Sequence, residues 1–204
     1  MIDNHAAPKS KPSLRKLAPT LNIWESMGLD EKLTGKAVEL RKATAKLMEE
    51  NIMELNQHVN STSFPFFLVD KLKNLGIGGL MLKGYGSPGM SNLEAASIQY
   101  EMAKRDGSFA LFFLAHTCLG SAVISSLADE EQKQRWLPPA NKLEKFICFG
   151  LTEPQNGSDA TGLQTTATKV EGGWRIKGRK RWIGSGTIGD ILVWARNAND
   201  GNKI

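Results

Sequence analysis

Apolar positions follow two different periods along the chain. From Asp30 to Val59, the residues Leu33, Ala37, Leu40, Leu47, Leu55 and Val59 recur three, four, seven or eight apart, which keeps them on one face of a long amphipathic helix. A loop at Ser61 to Pro65 precedes a second helix, Phe66 to Leu75, which Gly76 ends in a left-handed cap. The glycine-rich run IGGLMLKGYGSPG then breaks the period. Ser91 with Glu94 is a capping-box signature for a helix through Lys104, closed by Asp106-Gly107. Residues 107 to 128 carry no Asp, Glu, Lys or Arg, long enough for a membrane span by length alone. Ser108, His116, Thr117, Ser121, Ser125 and Ser126 interrupt that run and basic flanks are missing, so it reads as the fully buried central helix of a bundle. Asp129 with Gln132 starts a short helix to Trp136, stopped by Pro138-Pro139.

After Phe146 the apolar runs become short: FICFGL, LQTTATKV, WRIKG and ILVWAR, separated by glycine-rich turns. EGG between the second and third suits a β-hairpin. The last run leads to an Asp-Gly turn followed by three residues, so a further strand is expected to be missing. The reading is an α+β protein: an N-terminal helical domain over 29–145, then an incomplete antiparallel β domain over 146–204. Residues 1–28, with Pro8, Pro12, Pro19 and the cations Lys9, Lys11, Arg15 and Lys16, read as a mobile, untargeted arm.

With 204 residues, 41% hydrophobic and 23% charged, the composition is that of a soluble globular protein and excludes fibrous or low-complexity classes. The net charge of +5 arises from 26 basic and 21 acidic residues spread along the chain. That distribution lacks a nucleic-acid footprint and suits a phosphate-bearing small ligand. Cys118 and Cys148 sit in apolar surroundings without CxxC spacing, reading as buried thiols; metal and redox-thiol chemistry drop out.

The densest polar stretch is LTEPQNGSD, Leu151 to Asp159, just after a predicted strand. Such a strand end can present amides and hydroxyls to phosphates or a heteroaromatic ring. It can equally be a surface turn, bent by Pro154 and Gly157, with Thr152, Ser158 and Asp159 satisfying local backbone. The pattern alone leaves both open.

The order of segments is more specific. FGLTEPQNGSD is followed by TTATKVEGGWRIKGRKRWIG and GDILVWAR, with LKGYGSPGMS at 82–91 and DEEQKQRWLPP at 129–139 upstream. From about Leu29 to Ile204 the chain resembles the flavin-dependent acyl-CoA dehydrogenases and oxidases. The likeness is nearest to the plant peroxisomal short-chain acyl-CoA oxidase branch, itself similar to glutaryl-CoA dehydrogenase.

The resemblance implies an N-terminal helical domain, a middle β domain and a C-terminal four-helix domain, the last expected to be missing here. It implies FAD between the β domain and the helices, with Phe149, Gly150, Leu151 and Thr152 along the isoalloxazine ring. Gly157 would contact the cofactor, and Ser158 would meet the CoA or flavin phosphate region, also serving the substrate. Trp182 would stand against the flavin and Ile183-Gly184 beside its reactive nitrogen. Dehydrogenases usually have a threonine where this chain has Gly184, and the lost hydroxyl favours an oxidase.

The implied chemistry is α,β-dehydrogenation of an acyl-CoA, the first step of fatty-acid β-oxidation. Its catalytic glutamate belongs to the C-terminal domain, and none of Glu94, Glu101, Glu144 or Glu153 matches its place. Glu153, beside a proline at a turn, reads as structural. No catalytic residue is therefore assigned in this chain.

The implied partners are an acyl-CoA and identical subunits in a homotetramer, with no nucleic acid and no membrane span. The implied compartment is the peroxisome, the mitochondrial matrix being the alternative. DGSFALFFLAH has no Lys or Arg, which favours a monocarboxylic acyl group. His116 reads as a hydrogen-bonded core residue, and the tryptophans other than Trp182 as core and hairpin packing. The rival reading is a truncated, inactive form that binds acyl-CoA or flavin weakly or interferes with full-length subunits.

Overall fold

A computed structural model describes residues 23–204, so residues 1–22 of the predicted arm lie outside the described residues. The chain divides into two compact units, Met1–Leu33 and Thr34–Ile204. In the first, α1 (Ile23–Ser26) is followed by a 3-10 turn, Asp30–Lys32, and the Leu29 N–H bonds the Trp24 carbonyl at 2.9 Å. The segment predicted as arm thus holds a helical turn at its C-terminal end.

In the second unit the long helix α2 (Gly35–Asn60) begins later than Asp30 because Thr34 is its N-cap, extended and accepting the Ala37 N–H at 3.3 Å. Helix α3 (Phe66–Lys73) and α4 (Asn92–Ala103) follow, with Gly76 at φ +63° after α3. The capping box at Ser91 and Glu94 is formed, and the Glu94 carboxylate also accepts the Thr34 hydroxyl at 2.5 Å. One carboxylate therefore joins the starts of α2 and α4. The hydrogen bonds from Thr34 and Ser91 hold it at about pKa 2. Met48 and Leu55 from α2, Leu68 and Leu72 from α3, and Ile98 and Met102 from α4 form the buried core.

The uncharged segment is not one fully buried helix. It comprises α5 (Gly107–Leu114), a π-helical stretch Ala115–Ser121 and α6 (Ala122–Leu127), and only 33% of its most apolar window is buried. The burial is one-sided: His116, Thr117 and Ser121 face the interior, while Leu111, Leu119 and Leu127 are exposed. By length and apolarity the segment could cross a membrane. His116 and Thr117 make internal hydrogen bonds, and its exposed leucines line clefts.

Helix α7 (Glu130–Asn141) runs through Pro138 and Pro139 rather than stopping at Trp136. The prolines remove two N–H donors, but their carbonyls still accept the N–H groups of Lys142 (3.2 Å) and Glu144 (2.9 Å). Buried Leu137 and Ala140 anchor that last turn.

The five strands are β1 (Ile147–Gly150), β2 (Thr166–Val170), β3 (Gly173–Lys177), β4 (Asp190–Val193) and β5 (Arg196–Asn197). The helical-then-β order holds, but the pairing is not simply antiparallel. β1 pairs β4 in parallel, Ile147 opposite Asp190, and β2 pairs β5 in parallel; only β2–β3, turned at Glu171-Gly172, is antiparallel. The run ILVWAR is responsible, because it supplies β4 to one sheet and β5 to the other, so neither partner follows it through a hairpin. Beyond β5 the Asp200-Gly201 turn brings Lys203 opposite Asn197.

Candidate functional site

A cleft of about 690 Å³ opens within the second unit, between the helices and the β region. Its helical wall includes Leu55, Val59, Phe64, Phe112 and Leu119; its β wall includes Phe149, Thr152, Trp182, Gly184 and Ser185. Four of the residues singled out in the sequence, Phe149 and Thr152 from one segment and Trp182 and Gly184 from another thirty or more positions on, are therefore brought together.

The other candidates fall outside the lining. Gly150 is buried against β4, where a Cβ would lie 2.9 Å from the Leu192 carbonyl oxygen; its smallness serves strand packing. The Leu151 carbonyl accepts the Lys180 ammonium at 3.0 Å. Gly157 and Ser158 lie on an exposed stretch of loop, and Ile183 is half-buried beside the cleft. Phe64, Phe112, Leu119 and Ser185 were not foreseen. The charge-free run 107–128 was the available signal for Phe112 and Leu119, since apolar residues left over from one helix face must cover something.

The segment carrying Trp182 is tightly specified. Trp182 and Ser185 both have φ +60°, a left-handed conformation uncommon for such side chains. Trp182 is 78% exposed, and the Arg181 guanidinium lies 4.3 Å from its ring centroid. The Arg181 N–H donates to the Thr152 carbonyl at 2.9 Å, pinning this segment to the loop after β1.

Glu153, next to Thr152, is the buried fastening of that loop, as its turn position suggested. Its carboxylate accepts the Gln164 N–H (2.6 Å), the Thr165 N–H (2.8 Å), the Thr165 hydroxyl and the Lys180 ammonium (2.9 Å). Burial pushes its pKa up, but these hydrogen bonds outweigh burial and hold it at about 2.

His116 fastens the other side. Its Nδ1 accepts the Ile147 N–H at 3.0 Å and its Nε2 faces the Ala140 carbonyl at 3.0 Å, so a neutral ring joins the π-helical stretch, α7 and β1. Burial lowers its pKa to about 4, against the opposing hydrogen bond to Ala140. It is a core residue, as read from the sequence. Of the two thiols Cys148 is buried but Cys118 only half-buried, and neither is bonded to the other. Trp174 departs from its expected hairpin packing: it is 52% exposed on β3.

Among the described residues the cleft offers planar apolar walls and hydroxyls, with Asp106 as its one carboxylate. Asp106 lines it but accepts the Phe109 N–H at 2.6 Å as the N-cap of α5. Glu94, Glu101, Glu144 and Glu153 are absent from its lining.

Residues 34–144 match the acyl-CoA dehydrogenase N-terminal domain and residues 148–203 the acyl-CoA dehydrogenase middle domain. The chain belongs to the acyl-CoA dehydrogenase family. A probable acyl-CoA dehydrogenase of Bacillus subtilis is 32% identical over 89% of this chain and 31% of that protein. The short-chain-specific acyl-CoA dehydrogenase of Clostridium acetobutylicum is 31% identical over 81% of this chain and 44% of its own length. The chain thus spans less than half the length of these relatives. A glutaryl-CoA dehydrogenase of Mycobacterium smegmatis, solved in complex with FADH2, superposes with a TM-score of 0.79 at 28% identity, covering 85% of this chain and 46% of that one.

Proposed function

We propose that this chain supplies one wall of an FAD site and part of the acyl pocket of an enzyme that dehydrogenates acyl-CoA thioesters between the α and β carbons. The observation that carries this reading is the convergence of Phe149, Thr152, Trp182 and Gly184 on one cleft. Two aromatic faces and a hydroxyl suit a flat heteroaromatic ring, and the structural relative with FADH2 supports that choice. FAD, when bound, supplies the acceptor for the β hydrogen as hydride.

The chain's own residues do the rest of the work proposed for them. Phe149 and Trp182 exclude water from the ring face, and Thr152 is held to aim its hydroxyl by the Arg181–Thr152 backbone bond. Phe64, Phe112 and Leu119 form an apolar bed for the acyl tail. The lining contains no Lys or Arg, which supports a monocarboxylic tail over one ending in a second carboxylate. The α-proton acceptor comes from outside the described residues, and Ser158 keeps its proposed role toward phosphate groups through its exposed loop position.

An oxidase variant of this reading rests on Gly184. A Cβ there would meet no atom within 4 Å, so the position lines the cleft without being kept small by packing in this chain. That open space supports access of molecular oxygen to the site. The peroxisomal compartment goes with this variant, the mitochondrial matrix with a dehydrogenase; homotetramer assembly belongs to both.

The test is to load the complete protein with FAD, add a short saturated acyl-CoA and follow 2-enoyl thioester formation. Formation only with an added electron acceptor supports a dehydrogenase, and hydrogen peroxide produced in step with enoyl product supports an oxidase. A loaded protein that forms no enoyl product favours the rival, non-catalytic reading.

A further inference from the structure

The β region holds a second cleft of about 420 Å³ with the opposite character. Gln155, Gln164, Thr166, Lys177 and Arg179 line it, with Glu153 behind them, and it shares no lining residue with the apolar cleft. Thr166 and Lys177 are opposed in the β2–β3 ladder, which puts their side chains on one face of the sheet. At Gly178 a Cβ would fall 2.1 Å from the Thr165 hydroxyl oxygen, so the backbone between the two cations is pressed against the residue that precedes β2.

The charge balance in this cleft is uneven. Its one acidic residue, Glu153, is already saturated by Lys180, two backbone N–H groups and the Thr165 hydroxyl. Among the described residues neither Lys177 nor Arg179 forms an ion pair. Two cations therefore face a concave space rimmed by two side-chain amides and a hydroxyl, with no anion to answer them. A guanidinium and an ammonium lining one cleft are groups that hold phosphate oxygens, the first as a fork and the second as a point charge. The volume falls in the range of small-molecule sites.

We propose that this cleft binds the dianion of a phosphate group through Lys177 and Arg179, with Gln155 and Gln164 donating around it. The assignment goes beyond the flavin reading and does not depend on it, since the titration below uses neither flavin nor acyl-CoA.

The experiment is an NMR titration of the full 204-residue chain with inorganic phosphate and, separately, adenosine 5′-monophosphate, at constant ionic strength set by chloride. Saturable shifts are expected at the amides of Gln164 to Thr166 and Lys177 to Arg179. The double variant Lys177→Gln/Arg179→Gln, exposed positions whose folding is checked by circular dichroism, should bind about tenfold more weakly or worse. Lys169→Gln removes a cation opposite Trp174, on the other face of the hairpin, and should change nothing. Tighter binding of the nucleotide identifies a phosphate ester as the source; equal binding identifies free phosphate. Equilibrium dialysis with radiolabelled phosphate gives the same comparison without reliance on spectral quality. Non-saturating shifts, or equal binding by the double variant and Lys169→Gln, would overturn the proposal.

Discussion

The Lys180 ammonium lies 2.9 Å from the Glu153 carboxylate, and both side chains are nearly buried, at 11% and 3% exposure. This pair links the loop after β1 to the segment after β3. Thr152 and Trp182, the neighbours of these two linked segments, line the same cleft because of it.

Glu153→Ala should therefore destabilise the fold by roughly 3–5 kcal/mol, since it leaves the nearly buried Lys180 charge with only the Leu151 carbonyl and strands three further donors without an acceptor. The urea midpoint measures it. A loss within about 0.5 kcal/mol, the usual size for a surface change, would mean that the pair does not hold the loop.

Acid should unfold the chain in two stages. His116 is neutral in the fold with its pKa lowered to about 4, below the ordinary 6.5, so protons bind the unfolded state preferentially and its contribution is lost as pH falls from about 6.5 towards 4. Glu94 and Glu153, held at about 2 rather than 4.5, lose theirs as pH falls from 4.5 towards 2. Thermal melts across this range should show both declines, and His116→Gln should flatten only the upper one.

Trp182→Ala should leave stability almost unchanged, because the ring is 78% exposed, yet lower flavin occupancy of the complete protein. Flavin absorbance per polypeptide after desalting is the readout. Occupancy equal to wild type would remove Trp182 from the proposed site.

Gly150→Ala should cost about 1–3 kcal/mol by overpacking, since the new Cβ would meet Leu192 and Ile191 at 2.9 Å. Gly184→Thr, where nothing lies within 4 Å, should be tolerated. In an oxidase it should slow hydrogen peroxide formation more than reduction of an artificial acceptor. Equal slowing of both would remove Gly184 from oxygen access.

Much of this protein is decided within short sequence windows. The caps at Ser91 and Asp129, the Glu171-Gly172 turn, the long period of α2 and the structural parts of Glu153 and His116 depend on neighbouring residues or on residue chemistry, and these were legible in the chain. Tertiary structure decided the rest. Which strands pair in parallel depends on the chain crossing from one sheet to the other at Trp194-Ala195, which no local pattern marks. The one-sided burial of 107–127 depends on what stands opposite each face, since hydropathy records that a leucine avoids water but not whether it meets a core or a cleft. The meeting of Phe149 with Trp182, and of Thr166 with Lys177, is likewise set by sheet register and by the buried Glu153–Lys180 pair, interactions between residues that the sequence separates by ten or more positions.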